Sequence, residues 1–179
     1  MTATCLQNST VLHLAVSKSD EELVNAILNR ANNTSGLNSL INAKKLDGIT
    51  ALHIAAKSGS SVITKTLLKN GANVNAMDKS LNTPLHIART PSIAKCLLEH
   101  GAKVNASNES GETPLHFVQN FYTAKILIEK GGNVNASNNE GYTPLHTARN
   151  IAIAKLLLEN GAELKEELED LDLGFGLFD

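Results

Sequence analysis

One short pattern recurs five times along the chain and constrains its fold more than any other feature. In each copy a threonine is followed at the second position by leucine and at the third by histidine. Successive threonines are 40, 33, 30 and 30 residues apart, at Thr10, Thr50, Thr83, Thr113 and Thr143. A period of this length is typical of stacked supersecondary units, each too small to bury its apolar face alone. The five copies account for residues 9–162.

Each unit carries start and stop signals for a pair of helices. The threonine suits the N-cap of a first helix, and Pro84, Pro114 and Pro144 fall in the first turn, where a missing N–H costs nothing. A second pattern, Gly-x-x-Val-Asn-Ala, begins at Gly71, Gly101 and Gly131. Glycine at that place suits the left-handed residue that ends a helix. The pattern therefore predicts a helix pair followed by a β-like hairpin that turns outward.

These residues resemble the ankyrin repeat, whose signature is T-P-L-H-x-A followed by L-L-x-x-G-A-x-V-N-A at a period of 33 residues. The resemblance covers residues 9–162 and implies an all-α solenoid, with residues 1–162 as the repeat domain. Five helix-turn-helix units would stack, joined by β-hairpin loops, and the last three would be shortened to 30 residues. Hairpin tips and first helices would form a concave surface that binds proteins.

Departures from the 33-residue period indicate where this chain is unusual. Seven extra residues separate the first two units, and the polar sequence at 32–36 predicts a long, mobile loop. In each of the last three units, the stretch from the threonine to the end of the second helix is three residues shorter. We expect about one helical turn to be missing at the junction of the two helices. The residues predicted to cap the second helices there are Thr90, Asn120 and Asn150.

The hairpin tips differ at one position, because Leu81 stands where Gly48, Gly111 and Gly141 stand in other units. We therefore expect a distorted third tip. The candidate contact positions of the concave surface are those that vary between units: Lys79, Leu81, Arg89, Glu109, Glu112, Gln119, Asn139, Tyr142 and Arg149. The alternative is that most of these side chains are only solvated.

The repeated histidines are candidates for a metal or catalytic site. They are His13, His53, His86, His116 and His146, one in each unit. A spacing of one unit places neighbouring rings in successive layers, where each is expected to bond the backbone across the turn. The motifs of serine hydrolases, zinc proteases, paired zinc cysteines and phosphate loops do not occur. We therefore expect no enzyme activity, no metal and no cofactor, and we interpret Cys5 and Cys96 as reduced thiols.

Composition limits the class of protein further. Aromatic residues are 3% of the chain and Trp is missing, so the core must consist mainly of Leu, Ile, Val and Ala. Neither a membrane span nor a secretory signal is visible in the sequence, which favours a cytoplasmic protein. We expect it to be a monomer. The net charge of −2 is unevenly divided, since residues 163–179 carry seven acids and one lysine while the body carries 15 bases and 11 acids. No dense basic stripe indicates direct nucleic-acid binding.

The acidic C-terminal stretch divides into two parts. Leu164, Leu168 and Leu171 lie at helical spacing, so residues 163–171 are predicted to form a short helix that caps the last unit. Residues 172–179 contain two glycines, which disfavour a helix. They also contain two phenylalanines, whose large rings a helical cap does not explain. Acidic charge beside a few apolar anchors is typical of a flexible, partner-binding segment.

Residues 166–179 resemble the C-terminal tail of the acidic stalk proteins of the eukaryotic ribosome, which ends in G-F-G-L-F-D. Gly174 to Asp179 match this ending without a change, although Leu168 and Leu171 interrupt the acidic run and Leu173 replaces the usual Met. The resemblance implies binding to translational GTPases or other stalk-binding proteins. The contacts that it implies are apolar at Leu173, Phe175, Leu177 and Phe178, and acidic at Asp170, Asp172 and Asp179.

The sequence thus favours an ankyrin scaffold that displays a stalk-like peptide. Such a chain would suit a bacterial effector in the host cytosol, and an engineered graft of the peptide would look the same. The alternative is an ordinary ankyrin adaptor that binds an unknown protein through its concave face, with the C-terminal stretch folded back as a cap. An enzyme, or an inhibitor working through that face, is a third reading with less support.

Overall fold

The computed structural model describes residues 10–32 and 36–164. Eight α-helices follow one another: α1 (Val11–Ser17), α2 (Glu21–Asn32), α3 (Leu37–Ile41), α4 (Ala51–Ser58), α5 (Ser61–Lys69), α6 (Pro91–Glu99), α7 (Phe121–Glu129) and α8 (Ile151–Glu159). A short 3-10 helix covers Pro114–Phe117. No β-strand occurs in these two ranges. The all-helical class predicted from the repeats is confirmed.

Each unit begins where its threonine and histidine bond to each other. In the second unit the Thr50 hydroxyl accepts from the His53 backbone N–H at 3.5 Å, while His53 Nδ1 accepts from the Thr50 N–H at 3.2 Å. This reciprocal pair is a capping box, which satisfies N–H groups that a helix start otherwise leaves unpaired. The same Thr–His pairing occurs in all five units.

The second helices begin at the predicted caps. The side chains of Thr90, Asn120 and Asn150 each accept a hydrogen bond from backbone N–H groups two or three residues further on, at 2.9–3.4 Å. Ser60 does the same in the second unit. Each of these helices then buries one apolar face, with residues such as Ile63, Ile93 and Ile153 fully enclosed.

The first helix is short in the last three units. Where α4 has eight residues, the corresponding part of unit 3 is a single turn over residues 84–87, and unit 4 has only the four-residue 3-10 helix. An extended stretch then leads to the second helix, as the backbone angles of Val118 show (φ −65°, ψ 133°). The missing residues therefore come from the end of the first helix, next to the junction where the sequence predicted the loss.

The long segment between the first two units contains a helix that was not predicted. Helix α3 spans Leu37–Ile41 and places Ile41 in the core with 1% of its surface exposed. Burial of a side chain of this size stabilises the fold by about 1.5–3 kcal/mol. The expectation of a loop was therefore wrong for 37–41, while the predicted mobility of 33–35 concerns residues outside those described.

Histidine rings join each unit to the next. In the first four units the Nε2 atom lies 3.0–3.1 Å from a backbone carbonyl oxygen of the following unit, as His53 does at Asn82. Because Nδ1 faces a backbone N–H, which can only donate, Nδ1 must accept and Nε2 must carry the proton. The prediction that the histidines bond the backbone across the turn is confirmed, and each ring is fixed as one neutral tautomer.

Asparagines form a second ladder between the units. Asn42, Asn75, Asn105 and Asn135 each donate from Nδ2 to a glycine carbonyl of the next unit at 2.8–3.3 Å. Each also accepts at Oδ1 from an N–H two residues beyond that glycine, at 2.7–2.9 Å. The last of these N–H groups belongs to Glu163. Together the two ladders fix the register and spacing of the stacked layers.

The third hairpin tip is not distorted, so that expectation was wrong. Leu81 adopts the left-handed conformation (φ 61°) that Gly111 and Gly141 adopt at the equivalent positions. The turn bonds are also the same, since Asp78 Oδ1 accepts from the Ser80 and Asn82 N–H groups at 2.8–2.9 Å. The repeated turn imposes its backbone on leucine, which costs about 1–2 kcal/mol in this conformation.

Burial affects two kinds of titratable group. It lowers the pKa of His13, His53 and His86, although their hydrogen bonds to backbone carbonyls act in the opposite direction. It raises the pKa of the Cys96 thiol, which forms no disulfide and packs in the core. Both shifts favour the neutral form, so the core carries no charge from these groups.

Replacement of a ladder histidine should destabilise the fold strongly. His53→Leu leaves the Thr50 N–H and the Asn82 carbonyl without their partner, and we expect the free energy of unfolding to fall by about 2–4 kcal/mol. Urea denaturation followed by circular dichroism measures this loss. His100→Leu is the matched control, because His100 is exposed and outside the ladder, and its effect should be below about 1 kcal/mol. Equal losses would contradict the ladder's role.

Stability should fall as the pH is lowered from 7.5 to 5.5. The unfolded histidines bind protons near their ordinary pKa of about 6.5, whereas His13, His53 and His86 resist protonation in the fold. The loss begins near pH 6.5 and ends below the folded pKa values. Urea midpoints measured across this range test it, with His53→Leu expected to show a weaker dependence. A midpoint that rises on acidification contradicts the prediction.

Leu81→Gly should stabilise the protein. Glycine takes the left-handed conformation without the steric cost that leucine bears, and we expect a gain of about 1 kcal/mol in the free energy of unfolding. The control is Leu46→Gly, an exposed leucine of the first hairpin that is not left-handed, where glycine should bring a loss. Equilibrium urea melts compare the two. A loss for Leu81→Gly would show that the leucine side chain contributes more than its backbone costs.

Candidate functional site

A groove opens on the concave face where the long first helix of unit 2 gives way to the short ones of units 3 and 4. It has a volume of about 290 Å³. Units 2 and 3 are joined at this place by a backbone hydrogen bond of 3.4 Å, which the Arg89 N–H donates to the Ala56 carbonyl near the end of α4. We call this the concave groove; its lining residues are Ile49, Lys57, Asp78, His86, Ile87, Ala88, Arg89, Phe117, Gln119, Asn120 and Thr123.

The floor of the concave groove is apolar. Phe117 lines it with 38% of its surface exposed, and Ile49, Ile87 and Ala88 are its other apolar lining residues. The Phe117 ring packs edge-on against the His86 ring, with centroids 5.7 Å apart. Because His86 is also held by the ladder, this contact gives Phe117 a rigid support. The size is at the low end for ligand pockets of roughly 300–1,000 Å³, which suits one or two inserted side chains.

The rim of the concave groove is positively charged. Lys57 and Arg89 are both exposed there. The ion pairs within 10–32 and 36–164 are Lys95–Glu99 and Lys125–Glu129, so neither Lys57 nor Arg89 forms an ion pair in those ranges. The one acid of the groove, Asp78, already accepts hydrogen bonds within its own turn. Burial keeps the His86 ring neutral by lowering its pKa. The groove therefore offers two cations to an anionic ligand.

One buried hydroxyl in the groove lacks a hydrogen-bond partner. Thr123 is 5% exposed, and its Oγ1 bonds to none of the residues that the structure describes. The corresponding position is a buried isoleucine in units 2, 3 and 5, namely Ile63, Ile93 and Ile153. A buried polar atom without a partner costs about 1–3 kcal/mol. Thr123 therefore weakens the core beneath the groove and offers its hydroxyl to no ligand there.

The predicted contact residues are spread over three units, and only two of them meet in the concave groove. Arg89 and Gln119 line it, whereas Arg149 lies exposed one unit further along. The residues at the hairpin tips are Lys79, Leu81, Glu109, Glu112, Asn139 and Tyr142, and all but Glu112 are exposed. The C-terminal candidates, residues 170–179, lie outside the described ranges.

Two of the tip residues also have structural bonds. Glu112 is half-buried, and its Oε2 accepts from Asn108 Nδ2 at 3.1 Å. Asn139 Nδ2 donates to the Glu109 carbonyl of the preceding unit at 3.0 Å. The Glu112 side chain thus braces its own tip and the Asn139 side chain joins two neighbouring tips, so both have less freedom to bind a partner than Lys79 has.

Sequence reasoning missed three residues of the groove: Lys57, Phe117 and Thr123. Phe117 follows directly after the repeated histidine, where the other units have Leu14, Ile54, Ile87 and Thr147. One aromatic residue at a position that varies between units was the sequence signal for Phe117. No sequence signal marked Lys57 or Thr123, because their approach to Phe117 depends on the shortened helices.

Metal binding and membrane insertion find no support in the described part of the chain. No group of three or more His, Cys, Asp or Glu side chains is placed there to hold a metal ion. The repeated histidines that bond carbonyls with one nitrogen and the capping threonine with the other have no free ring nitrogen for a ligand. Nor is any helix in ranges 10–32 and 36–164 long and apolar enough to cross a bilayer.

Several known proteins are similar to part of this chain. Rabankyrin-5 of Mus musculus is 37% identical over 89 residues, which are 47% of this chain and 7% of that protein. The tyrosine-protein kinase HTK16 of Hydra vulgaris is 33% identical over 78 residues, 44% of this chain and 10% of its own. The E3 ubiquitin-protein ligase KEG of Arabidopsis thaliana is 38% identical over 85 residues, 45% and 5% respectively.

The similarity is confined to a small part of each of these three relatives. The chain spans a tenth or less of the length of each of the three. The family model for ankyrin repeats, in three copies, matches residues 12–108 and 89–167. Taken with the capping boxes and stacked helix pairs, this match shows that the chain belongs to the ankyrin-repeat family, whose repeats generally serve as non-enzymatic protein-interaction modules.

Proposed function

We propose that this chain is a non-enzymatic protein-binding module with two binding regions. One is the concave surface, formed by the groove and the hairpin tips. The other is the C-terminal segment, residues 172–179, with the acidic residues that precede it. The repeat body would hold or localise one partner while the C-terminal segment captures another.

The single observation that carries the second region is the sequence of residues 166–179. Residues 174–179 read Gly-Phe-Gly-Leu-Phe-Asp after an acidic run, as in the tail of the ribosomal stalk proteins. Six consecutive identical residues make this a specific similarity. The proposed partners are therefore translational GTPases or other proteins that bind the ribosomal stalk.

The chemistry of the segment supports this choice of partner. Leu173, Phe175, Leu177 and Phe178 are apolar anchors for a groove on the partner, and Gly174 and Gly176 allow the backbone to turn the rings to one side. Asp170, Asp172 and Asp179 add charge that assists the encounter with a basic surface. Large rings supply most of the affinity in such complexes.

The concave surface is the proposed site for the body's own protein partner. Arg89 and Gln119 lie beside the exposed Phe117, which gives the groove an apolar anchor point with polar edges. Exposed aromatic and arginine side chains are common at the centres of protein interfaces. The setting we propose is the cytoplasm, and the host cytosol if the chain is a bacterial effector that acts on translation.

A second candidate function is that of an ordinary ankyrin adaptor whose C-terminal stretch caps the last unit. The exposed apolar residues of α8 favour it, because Ile151 and Leu158 are left 44% and 37% exposed by the part of the chain that the structure describes. Terminal repeats generally need a polar cover. In that case the whole C-terminal stretch, residues 163–179, would fold back on α8, and the concave surface alone would bind the partner.

Removal of the two terminal rings should abolish capture of translation factors. We expect Phe175→Ala/Phe178→Ala to weaken binding to a purified translational GTPase at least tenfold, which corresponds to about 1.4 kcal/mol. Affinity capture from eukaryotic lysate and calorimetric titration with the purified factor measure this. The control is Tyr122→Ala, which removes a ring that is 65% exposed on α7 and should leave binding unchanged.

Deletion of residues 172–179 separates the two candidate functions. Lost capture with an unchanged melting temperature supports the stalk-like motif. A lower melting temperature with unchanged partners supports the cap, and retention of translation factors by the Phe175→Ala/Phe178→Ala chain would exclude the mimicry.

A further inference from the structure

The concave groove combines two features that call for one kind of occupant. Its lining includes the ring of Phe117, which is 38% exposed, and the exposed cations Lys57 and Arg89, which form no ion pair within the described ranges. An occupant that satisfies both must bring an apolar side chain and negative charge. An acidic peptide with large apolar residues has this chemistry.

The chain itself supplies such a peptide. Residues 165–179 contain six acidic residues and one lysine, together with the rings of Phe175 and Phe178. The repeat body is positively charged overall, so the two parts attract each other. The acidic segment is therefore attracted both by the net positive charge of the repeat body and by Lys57 and Arg89 in the groove.

The segment is also long enough to reach. It begins after Leu164, which directly follows the fifth unit. The groove lies between units 2 and 4, and helices pack about 8–10 Å apart, so the distance to be spanned is about 20–30 Å. Fifteen residues in extended form cover up to about 50 Å. Attachment to the same chain raises the effective concentration to the millimolar range, so weak contacts suffice.

We propose that residues 165–179 bind within the same molecule in the concave groove, with a terminal phenylalanine packed on Phe117 and acidic side chains beside Lys57 and Arg89. This inference stands apart from the proposed stalk-like function, since it requires only the groove and the chemistry of the segment. If both hold, the groove and an external partner compete for the same residues, and the free chain keeps its C-terminal segment covered.

A spin label at the end of the chain tests the proposal on the full-length protein. In the variant Cys5→Ser/Asp179→Cys the new cysteine takes the label, because Cys96 is buried. We expect the amide NMR signals of Ile87, Arg89 and Gln119 to lose at least half of their intensity relative to the reduced label. Signals of α8 should keep theirs. Addition of 0.5 M NaCl should restore most of the lost intensity by screening.

Charge variants show whether the rim cations are responsible. Lys57→Gln/Arg89→Gln should restore the groove signals, and so should Phe175→Ala/Phe178→Ala. The matched control is Lys65→Gln/Lys155→Gln, which removes two exposed positive charges from the outer helices α5 and α8 and should leave the losses in place.

Three results would overturn the proposal. Undiminished groove signals would show that the segment does not bind there, and losses confined to α8 would show that it caps the last unit instead. Losses that appear when labelled, isotope-free chain is mixed with unlabelled, isotope-enriched chain would assign the groove to a second copy. None of these results bears on capture of translation factors, so failure here and failure of the proposed function are distinguishable.

Discussion

In the first four units the repeated histidine makes two kinds of bond. Through Nδ1 it completes the cap of its own first helix, and through Nε2 it binds a backbone carbonyl of the next unit. The same ring thus links local helix formation to the stacking of layers. On the neighbouring loop, asparagine side chains form a second ladder that also bonds each unit to the next. Since no single unit buries enough apolar surface alone, the fold depends on these connections.

The groove follows from the way the units are shortened. The histidine ladder keeps the 30-residue units in register with the longer second unit, while their first helices stop after one turn. The space at the end of α4 is therefore not filled by the next layer, and Phe117, Lys57 and Arg89 meet around it. The shortening opens the groove and leaves the caps of the second helices and the histidine and asparagine ladders in place.

The sequence predicts most of the fold, because the residues that repeat are those that form the caps and ladders. Thr90, Asn120 and Asn150 could be identified as caps from spacing alone. Helix α3 and the regular turn at Leu81 could not, since tertiary packing of Ile41 and the bonds of the turn override weak local preferences. Only a small part of the groove was predicted: Arg89 and Gln119 stood at variable positions, whereas the approach of Lys57 and Phe117 to them depends on three-dimensional placement.

Hydrogen–deuterium exchange of the intact chain, with and without a purified translational GTPase, tests most directly whether the C-terminal segment is a binding region that an external protein can take from the groove. We expect slower exchange in residues 172–179 on binding, together with faster exchange in 86–89 and 117–120 as the groove is uncovered. Unchanged exchange in 172–179, with slower exchange confined to the concave surface, would contradict it.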